Sequence, residues 1–540
     1  MPIIAMIRLL RSNRPYEVGT QSKGTALAGT GRHADDLTER WWAWKWLRQP
    51  TRVSEMRHRD AAALILICLA VWFYLDVANR GKVDAKHLEV HRTDFTVFTE
   101  AGAAFFDGRD PYSVKNPRGW FYLYPPIFAL SVAPLARLDT VSQVFVWYVV
   151  SVALGFGCYG EARRIWRLVN ANTKTETGTL SWWVAYGIAG AVAVPALECL
   201  QRGQLGIALL YGLLLGFRLV LKDRGRAWTF LGGVVLAWTA VVKLIPALPV
   251  AVLFWQRGGR AWGSPKERSG VASLGLGLLF GVCLFLFAIP TGVLGWGANI
   301  GHLDTWVRKV VTNRDPAQES GFHIDSPSNQ SFINAAHSLA TNLRFQELAN
   351  QRAGLLQFAK NGQERRWAID RAFAEVRRAD IGTHRVVQVI QGLMLILLLA
   401  LALTIERNDL PGQTAVFGLA CLGMLLISPV AWTHYYMMVL PAILGVPRWM
   451  ESRGRPRTAV VLACIPAILV CSHYLLKRSL GEFGVLGLGI AVWYLTATTL
   501  MLRILWFTSD ANQGANQLPA TAARSRRPFA LRMRGRSVTH

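Results

Sequence analysis

Long apolar runs broken by short polar stretches dominate the chain. The runs fall at 61–79, 141–160, 181–199, 204–221, 228–243, 244–256, 271–290, 385–405, 413–428, 433–447, 458–475 and 485–505. A helix needs about 20 apolar residues to span a bilayer, with about 17–25 the working range. The pattern therefore predicts an all-α, polytopic integral membrane protein with about 11–13 transmembrane helices. Segment 122–138 is also apolar, but Pro125, Pro126 and Pro134 interrupt it. The alternation of inside and outside loops closes only if this segment makes no full crossing.

Orientation follows the Lys/Arg content of the short loops. Loops 161–174, 222–226, 256–268 and 448–457 are basic, as are both tails. Residues 1–60 hold eleven Lys/Arg, and Trp41, Trp42, Trp44 and Trp46 among them suit an interfacial helix. The reading is a basic cytoplasmic tail over 1–60, a membrane domain over 61–505 and a second basic cytoplasmic tail over 506–540. Two long loops are nearly neutral. Residues 80–120 carry seven Lys/Arg against six Asp/Glu, and residues 291–384 carry eleven against nine. Both are expected to face outward.

Composition adds to this picture. The chain is 52% hydrophobic and 17% charged, with 21 tryptophans and a formal net charge of +26. A soluble globular protein, a disordered chain and a disulfide scaffold are all excluded. The charge reads as positive-inside topology and contact with anionic lipid at the cytoplasmic face, not as nucleic-acid binding. The seven cysteines form no CxxC pair, which argues against a metal or redox framework.

The candidate chemistry lies where outer helix ends are expected. Asp94 precedes Phe95, Val97, Phe98, Ala101 and Phe105, which predict a helix lying flat on the outer leaflet with an acid at its start. An acid in that place is commonly a helix cap. Asp107-Gly108-Arg109-Asp110-Pro111-Tyr112 reads as a turn. Glu198, Gln201, Arg202 and Gln204 sit between two spans, and Lys243 ends an apolar run before Leu244-Ile245-Pro246. Asn329 and Gln330 precede Phe332 and His337, and Ser428-Pro429 leads into Trp432 and His434. Lys243 could simply snorkel to the headgroups, and His434 could be a packing residue. Ionisable groups near a bilayer, however, usually line a site.

These segments together resemble glycosyltransferase family 87, the polyprenol-phosphate-mannose-dependent α-mannosyltransferase group. The resemblance rests on Asp94-Phe95, Gly108-Arg109-Asp110-Pro111-Tyr112, Tyr124-Pro125-Pro126, Gly203-Gln204, Lys243-Leu244-Ile245-Pro246, Asn329-Gln330-Ser331 and Ser428-Pro429 with Trp432 and His434. It runs in order over about residues 60–505. Arg202 stands where the family usually has Asn, and Tyr435 where a second His is common. The resemblance implies a GT-C-type bundle that uses a lipid-linked sugar donor at the outer face of the cell membrane. It implies transfer of a hexose, most simply mannose, from polyprenyl phosphate to a glycolipid or glycan. Asp94 would be the general base, and His434 would orient the acceptor, assist the base or hold the phosphate. Lys243 and Arg202 would hold the leaving phosphate. Gln204, Asn329, Gln330, Glu198, Tyr124 and Trp432 would contact substrate. No metal or other cofactor is expected, because a lipid monophosphate can leave with cationic help alone. Residues 343–384 read as a charged amphipathic helix over the acceptor cleft. A transporter or lipid flippase, a non-catalytic component of envelope polysaccharide assembly, and a related enzyme with another donor sugar are the rival readings.

Overall fold

The computed structural model describes residues 53–78, 93–116, 120–171, 178–221, 225–258, 265–312, 329–343, 381–406, 408–476 and 484–516. The Trp-rich segment, the arginines of the last tail and nearly all of the amphipathic stretch expected over 343–384 lie outside them. Among the described residues every element is helical, and the only strand-like pairings are two isolated bridges.

Among the described residues seven helices are long and apolar enough to cross a membrane: Thr140–Asn170, Trp182–Arg202, Arg268–Leu294, Gly382–Thr404, Leu410–Ile427, Pro456–Leu475 and Val485–Phe507. In chain order the helices are α1 (Val53–Trp72, widened over Phe73–Val77), α2 (Thr96–Phe106), α3 (Pro126–Val132), α4 (Thr140–Asn170), α5 (Gly178–Arg202) and α6 (Gly206–Leu221). They continue with α7 (Arg226–Val242), α8 (Ala247–Gly258), α9 (Pro265–Val282), α10 (Ile289–Leu294), α11 (Trp296–Trp306) and α12 (Phe332–Leu343). The last are α13 (Ile381–Thr404), α14 (Leu410–Ile427), α15 (Leu440–Ser452), α16 (Pro456–Leu475) and α17 (Val485–Asn516).

The long-range bonds give the bundle two distinct ends. At one end Arg218 of α6 pairs with Glu161 of α4, Arg226 of α7 bonds Ser269 of α9, and Arg453 after α15 pairs with Asp409 before α14. The arginines Arg163, Arg164, Arg167, Arg257, Arg448, Arg455 and Arg457 belong to helix ends of the same direction. At the other end Asp76 meets Gln201, Lys243 meets Tyr435, Tyr474 meets Glu198 and Trp306 meets Leu123. The α1, α6, α7 and α8 segments, and the chain from Thr433 to Ser452, run between these ends beside the seven longer helices.

Segment 122–138 does not cross. It breaks into α3 and a 3-10 turn over Ala133–Arg137. Gln143 of α4 then donates to Leu138 O and accepts from Thr99 of α2, so the chain never leaves the site end. Two of the shorter apolar runs also differ from a regular spanning helix. α8 has 12 residues, about 18 Å at 1.5 Å per residue, against an apolar core of about 30 Å. The run expected at 433–447 is a 3-10 turn over Thr433–Val439 followed by α15, and Pro441, which lacks an N–H, stands in the first turn of that helix.

The centre of the bundle is α14, buried along nearly its whole length. It touches α15, α8, α13, α17 and α4. α14 and α15 approach backbone to backbone. A Cβ added to Gly418 would lie 2.2 Å from Ala442 N, and one on Gly445 would lie 2.2 Å from Ala415 N. Small residues at a helix crossing permit this approach where apolar burial cannot drive association.

α2 corrects the expectation of a helix flat on a leaflet. Eight of its residues are buried: Thr96, Val97, Phe98, Thr99, Ala101, Gly102, Ala104 and Phe105. Its polar face is covered as well as its apolar one, because Thr99 donates to Gln143 and Asn116 donates to Thr96 Oγ1. Satisfying each hydroxyl in this way removes the penalty for burying it.

Candidate active site

The site grows from one turn, Gln201-Arg202-Gly203-Gln204, between α5 and α6. Gly203 has φ of +69°, and a Cβ there would meet Thr93 Oγ1 at 2.7 Å and Phe95 Cβ at 2.9 Å. Glycine is needed for the backbone angle and for the space. The turn thereby lets the chain before α2 lie against it: Asp94 N donates to Arg202 O at 2.8 Å and Thr93 Oγ1 donates to the same oxygen at 3.2 Å.

Three carboxylates meet this turn. Gln201 Nε2 donates to Asp76 at the end of the first helix, at 2.5 Å. Arg202 pairs with Glu198 one helical turn earlier, at 3.0 Å. Gln204 Nε2 donates to Asp94 Oδ2 at 2.7 Å. Asp94 is thus not the N-cap of α2. That position is Phe95, whose own N–H is taken by Thr93 Oγ1 at 3.1 Å. The carboxylate turns across the fold toward α6.

A cation faces it across two tyrosines. The Lys243 ammonium donates to the Tyr435 hydroxyl, lies 3.7 Å from the Tyr435 ring centroid and 5.6 Å from that of Tyr124. The Tyr124 hydroxyl hydrogen-bonds Tyr435, and burial pushes the Tyr124 phenol up to about 12, so it stays neutral. Tyr435 OH in turn donates to Gln204 Oε1 at 3.4 Å. Among the described residues no carboxylate lies within ion-pair distance of Lys243. Arg202, by contrast, is neutralised by Glu198. Of the two cations expected at a phosphate, Lys243 is the one that meets a phenol and no described carboxylate.

Glu198 is held from three sides. Besides Arg202 it accepts from Thr433 Oγ1 at 2.6 Å and from Tyr474 OH. His434 is buried next to it, its ring 4.4 Å from that of Tyr435 and within electrostatic reach of Glu198. Trp432 packs edge-on to Trp120 at 6.1 Å and pairs through its backbone with Asn329.

Asn329 is occupied by its own fold. Its Nδ2 donates to Pro429 O at 3.1 Å, and its Oδ1 accepts from Ala431 N and Ser331 N at 2.9 and 3.1 Å. Gln330 N donates to Ala431 O, and Gln330 O accepts from Tyr436 OH. Both residues latch the start of α12 to the Pro429–Ala431 segment and so fix where Trp432, Thr433 and His434 point. Asp94, Gln204, Tyr124 and Lys243 therefore form one group, and Glu198, Arg202 and His434 an adjoining one. Asn329, Gln330 and Trp432 brace the second. Among the described residues no three His, Cys, Asp or Glu side chains gather as a metal-ion site would require.

The family model of glycosyltransferase family 87 matches residues 122–429, more than half of the chain. The chain belongs to glycosyltransferase family 87. The match begins at Tyr122 and ends at Pro429, narrower than the 60–505 over which the motifs resemble the family. Tyr124, Glu198, Arg202, Gln204, Lys243, Asn329 and Gln330 lie within it, whereas Asp94, Trp432 and His434 join it only through the tertiary contacts above. Membership in family 87 carries glycosyltransferase activity in general, and the helical bundle is that of a multi-pass membrane enzyme. A search of curated proteins and one of solved structures return no match.

Three side chains of this family 87 site escaped the reading of motifs. Asp76 is an acid at the end of an apolar run, and its position there was itself a usable signal. Tyr435 was visible only as a departure from the family pattern. Tyr474 sits inside an apolar span and carries no local signal at all.

Proposed function

We propose that the protein transfers a hexose, in the first place mannose, from polyprenyl phosphate to a glycolipid or glycan at the outer face of the cell membrane. The observation that carries this reading is the pairing of Asp94 with Lys243 at one end of the bundle, through Gln204 and Tyr435. Asp94 takes the proton of the acceptor hydroxyl as that oxygen attacks the anomeric carbon. The bond from the anomeric carbon to the phosphate oxygen breaks, and the electron pair leaves with the polyprenyl phosphate. Lys243 offsets the charge that develops on that phosphate, in surroundings poor in water where such contacts are strong. Leu244, 55% exposed beside it, marks where the prenyl chain reaches the ammonium from the bilayer. His434 assists at Glu198 and Tyr435, and Trp120 and Trp432 supply faces on which a sugar ring stacks. The end rich in arginine faces the cytoplasm and its anionic lipid.

The test is turnover of labelled polyprenyl-phosphate-mannose by membranes containing the protein, beside its Asp94→Asn variant. The parent transfers sugar, and the variant loses at least about 100-fold while still binding donor. Equal transfer by both would remove Asp94 from the role of base. Transfer by neither, with a different polyprenyl-phosphate sugar accepted, would correct the donor.

A further inference from the structure

The two halves of the proposed site are joined by a chain of three hydrogen bonds, from Lys243 to Tyr435, from Tyr435 to Gln204 and from Gln204 to Asp94. An ammonium only donates, so the Tyr435 oxygen accepts from Lys243. A phenol has one proton, and that of Tyr435 points to Gln204 Oε1 at 3.4 Å. The amide is then fixed with its NH2 toward Asp94, where Nε2 donates to Oδ2 at 2.7 Å. We propose that Tyr435 is a positioning residue that ties Lys243 to Asp94 through the Gln204 amide, so that the phosphate-binding cation and the base are set as one unit. The proposal rests on the reading of Asp94 as base.

The physical consequence lies in the amide. The Tyr435 hydroxyl adds to the Asp94 bond in holding Gln204 Oε1 on the side away from the carboxylate, and its loss makes a turned amide easier. A turned amide would set oxygen against oxygen, and both are acceptors. That arrangement favours a protonated Asp94, which is no base. Other charged or titratable groups among the described residues stand near the link. On the α5 side, Arg202 is paired with Glu198, and Cys199 donates to Gln204 O. Tyr124 bonds Tyr435 itself. His434 lies on the Glu198 side, and Glu100 of α2 is exposed.

The experiment is the pH dependence of sugar transfer by the full chain in membranes, for the parent, Tyr435→Phe, Gln204→Leu and the double variant. Either single change is expected to lower turnover about tenfold near neutrality and to move the acid limb upward by about one pH unit. The double variant should be no worse than the poorer single one, because the chain is already cut. Tyr435→His, with one ring nitrogen to accept and the other to donate, should restore the parent limb. If Tyr435→Phe fails to accumulate, Gln204→Leu and Tyr435→His carry the same comparison. An acid limb unmoved in the single variants, or losses that multiply in the double one, would overturn the proposal. Asp94→Asn run in parallel separates the two failures. If it is inactive while the limb stays put, the link fails and the base stands. If it transfers sugar like the parent, the base itself fails.

Discussion

At the residue scale, Gly203 is the position where geometry leaves least freedom. Its left-handed backbone and its contact with Thr93 and Phe95 place the Asp94 backbone on Arg202. Gly203→Ala is expected to destabilise the protein by about 1–2 kcal/mol from the backbone angle alone, and more from the clash. Its thermal unfolding in detergent should move down, and transfer should fall with it. Lys243→Met tests the cation separately. It keeps the stem and removes the charge, so donor affinity and turnover should both drop, by at least about tenfold for one lost charge-assisted contact. Undiminished donor binding in that variant would move the phosphate to Arg202. Asp94 and Lys243 were both legible as ionisable groups beside apolar runs. Their partners were not, since a glutamine and a tyrosine become functional only through what they touch.

Among the elements, α14 is where local chemistry decides most. Its N-terminus is closed by Asp409, which accepts from Gly412 N at 2.9 Å, from Trp449 Nε1 at 2.8 Å and from Arg453 at 3.1 Å. Asp409→Ala removes a cap and leaves the indole N–H of a buried Trp449 without its acceptor. A loss of about 1–3 kcal/mol is expected, read as a lower unfolding midpoint in detergent with donor affinity in the surviving fraction unchanged. The crossing of α14 and α15 carries a larger penalty. Gly418→Val would drive its side chain into the backbone around Ala442, and failure of the protein to accumulate in membranes is the expected outcome. The apolar run of α14 was plain in the sequence, but nothing in it distinguished a central helix from a lipid-facing one. That the threonines of α2 are buried with its apolar positions was equally hidden, because their partners, Asn116 and Gln143, lie in other elements.

For the whole molecule, the two ends of the bundle make a claim about sidedness. Asp107 is exposed at the site end and Arg455 at the arginine-rich end. Cysteines introduced one at a time at these positions, compared with the parent's own cysteines, should report opposite sides. Asp107→Cys should react with a membrane-impermeant thiol reagent in intact cells, and Arg455→Cys only after permeabilisation. The reverse pattern would put the site on the cytoplasmic face and end the reading of an outer-face transferase.

What the sequence determined by itself is whatever depends on local composition. Runs of apolar residues required helices in a bilayer, and the Lys/Arg bias sorted the loops to two sides. The ordered motifs pointed to the family for the same reason, since each is a short stretch readable in place. Only the tertiary structure decided which groups meet. Gln204 and Asp94 stand 110 residues apart, and Lys243 and Tyr435 stand 192 apart. Bonds over such separations depend on how helices cross, which is set by close approach at glycines and by satisfied polar groups across many segments at once. The same packing turns Asp94 away from the place of a helix cap to face α6, and it bonds the Asn329 side chain to Pro429 and Ala431 beside the Trp432–His434 segment.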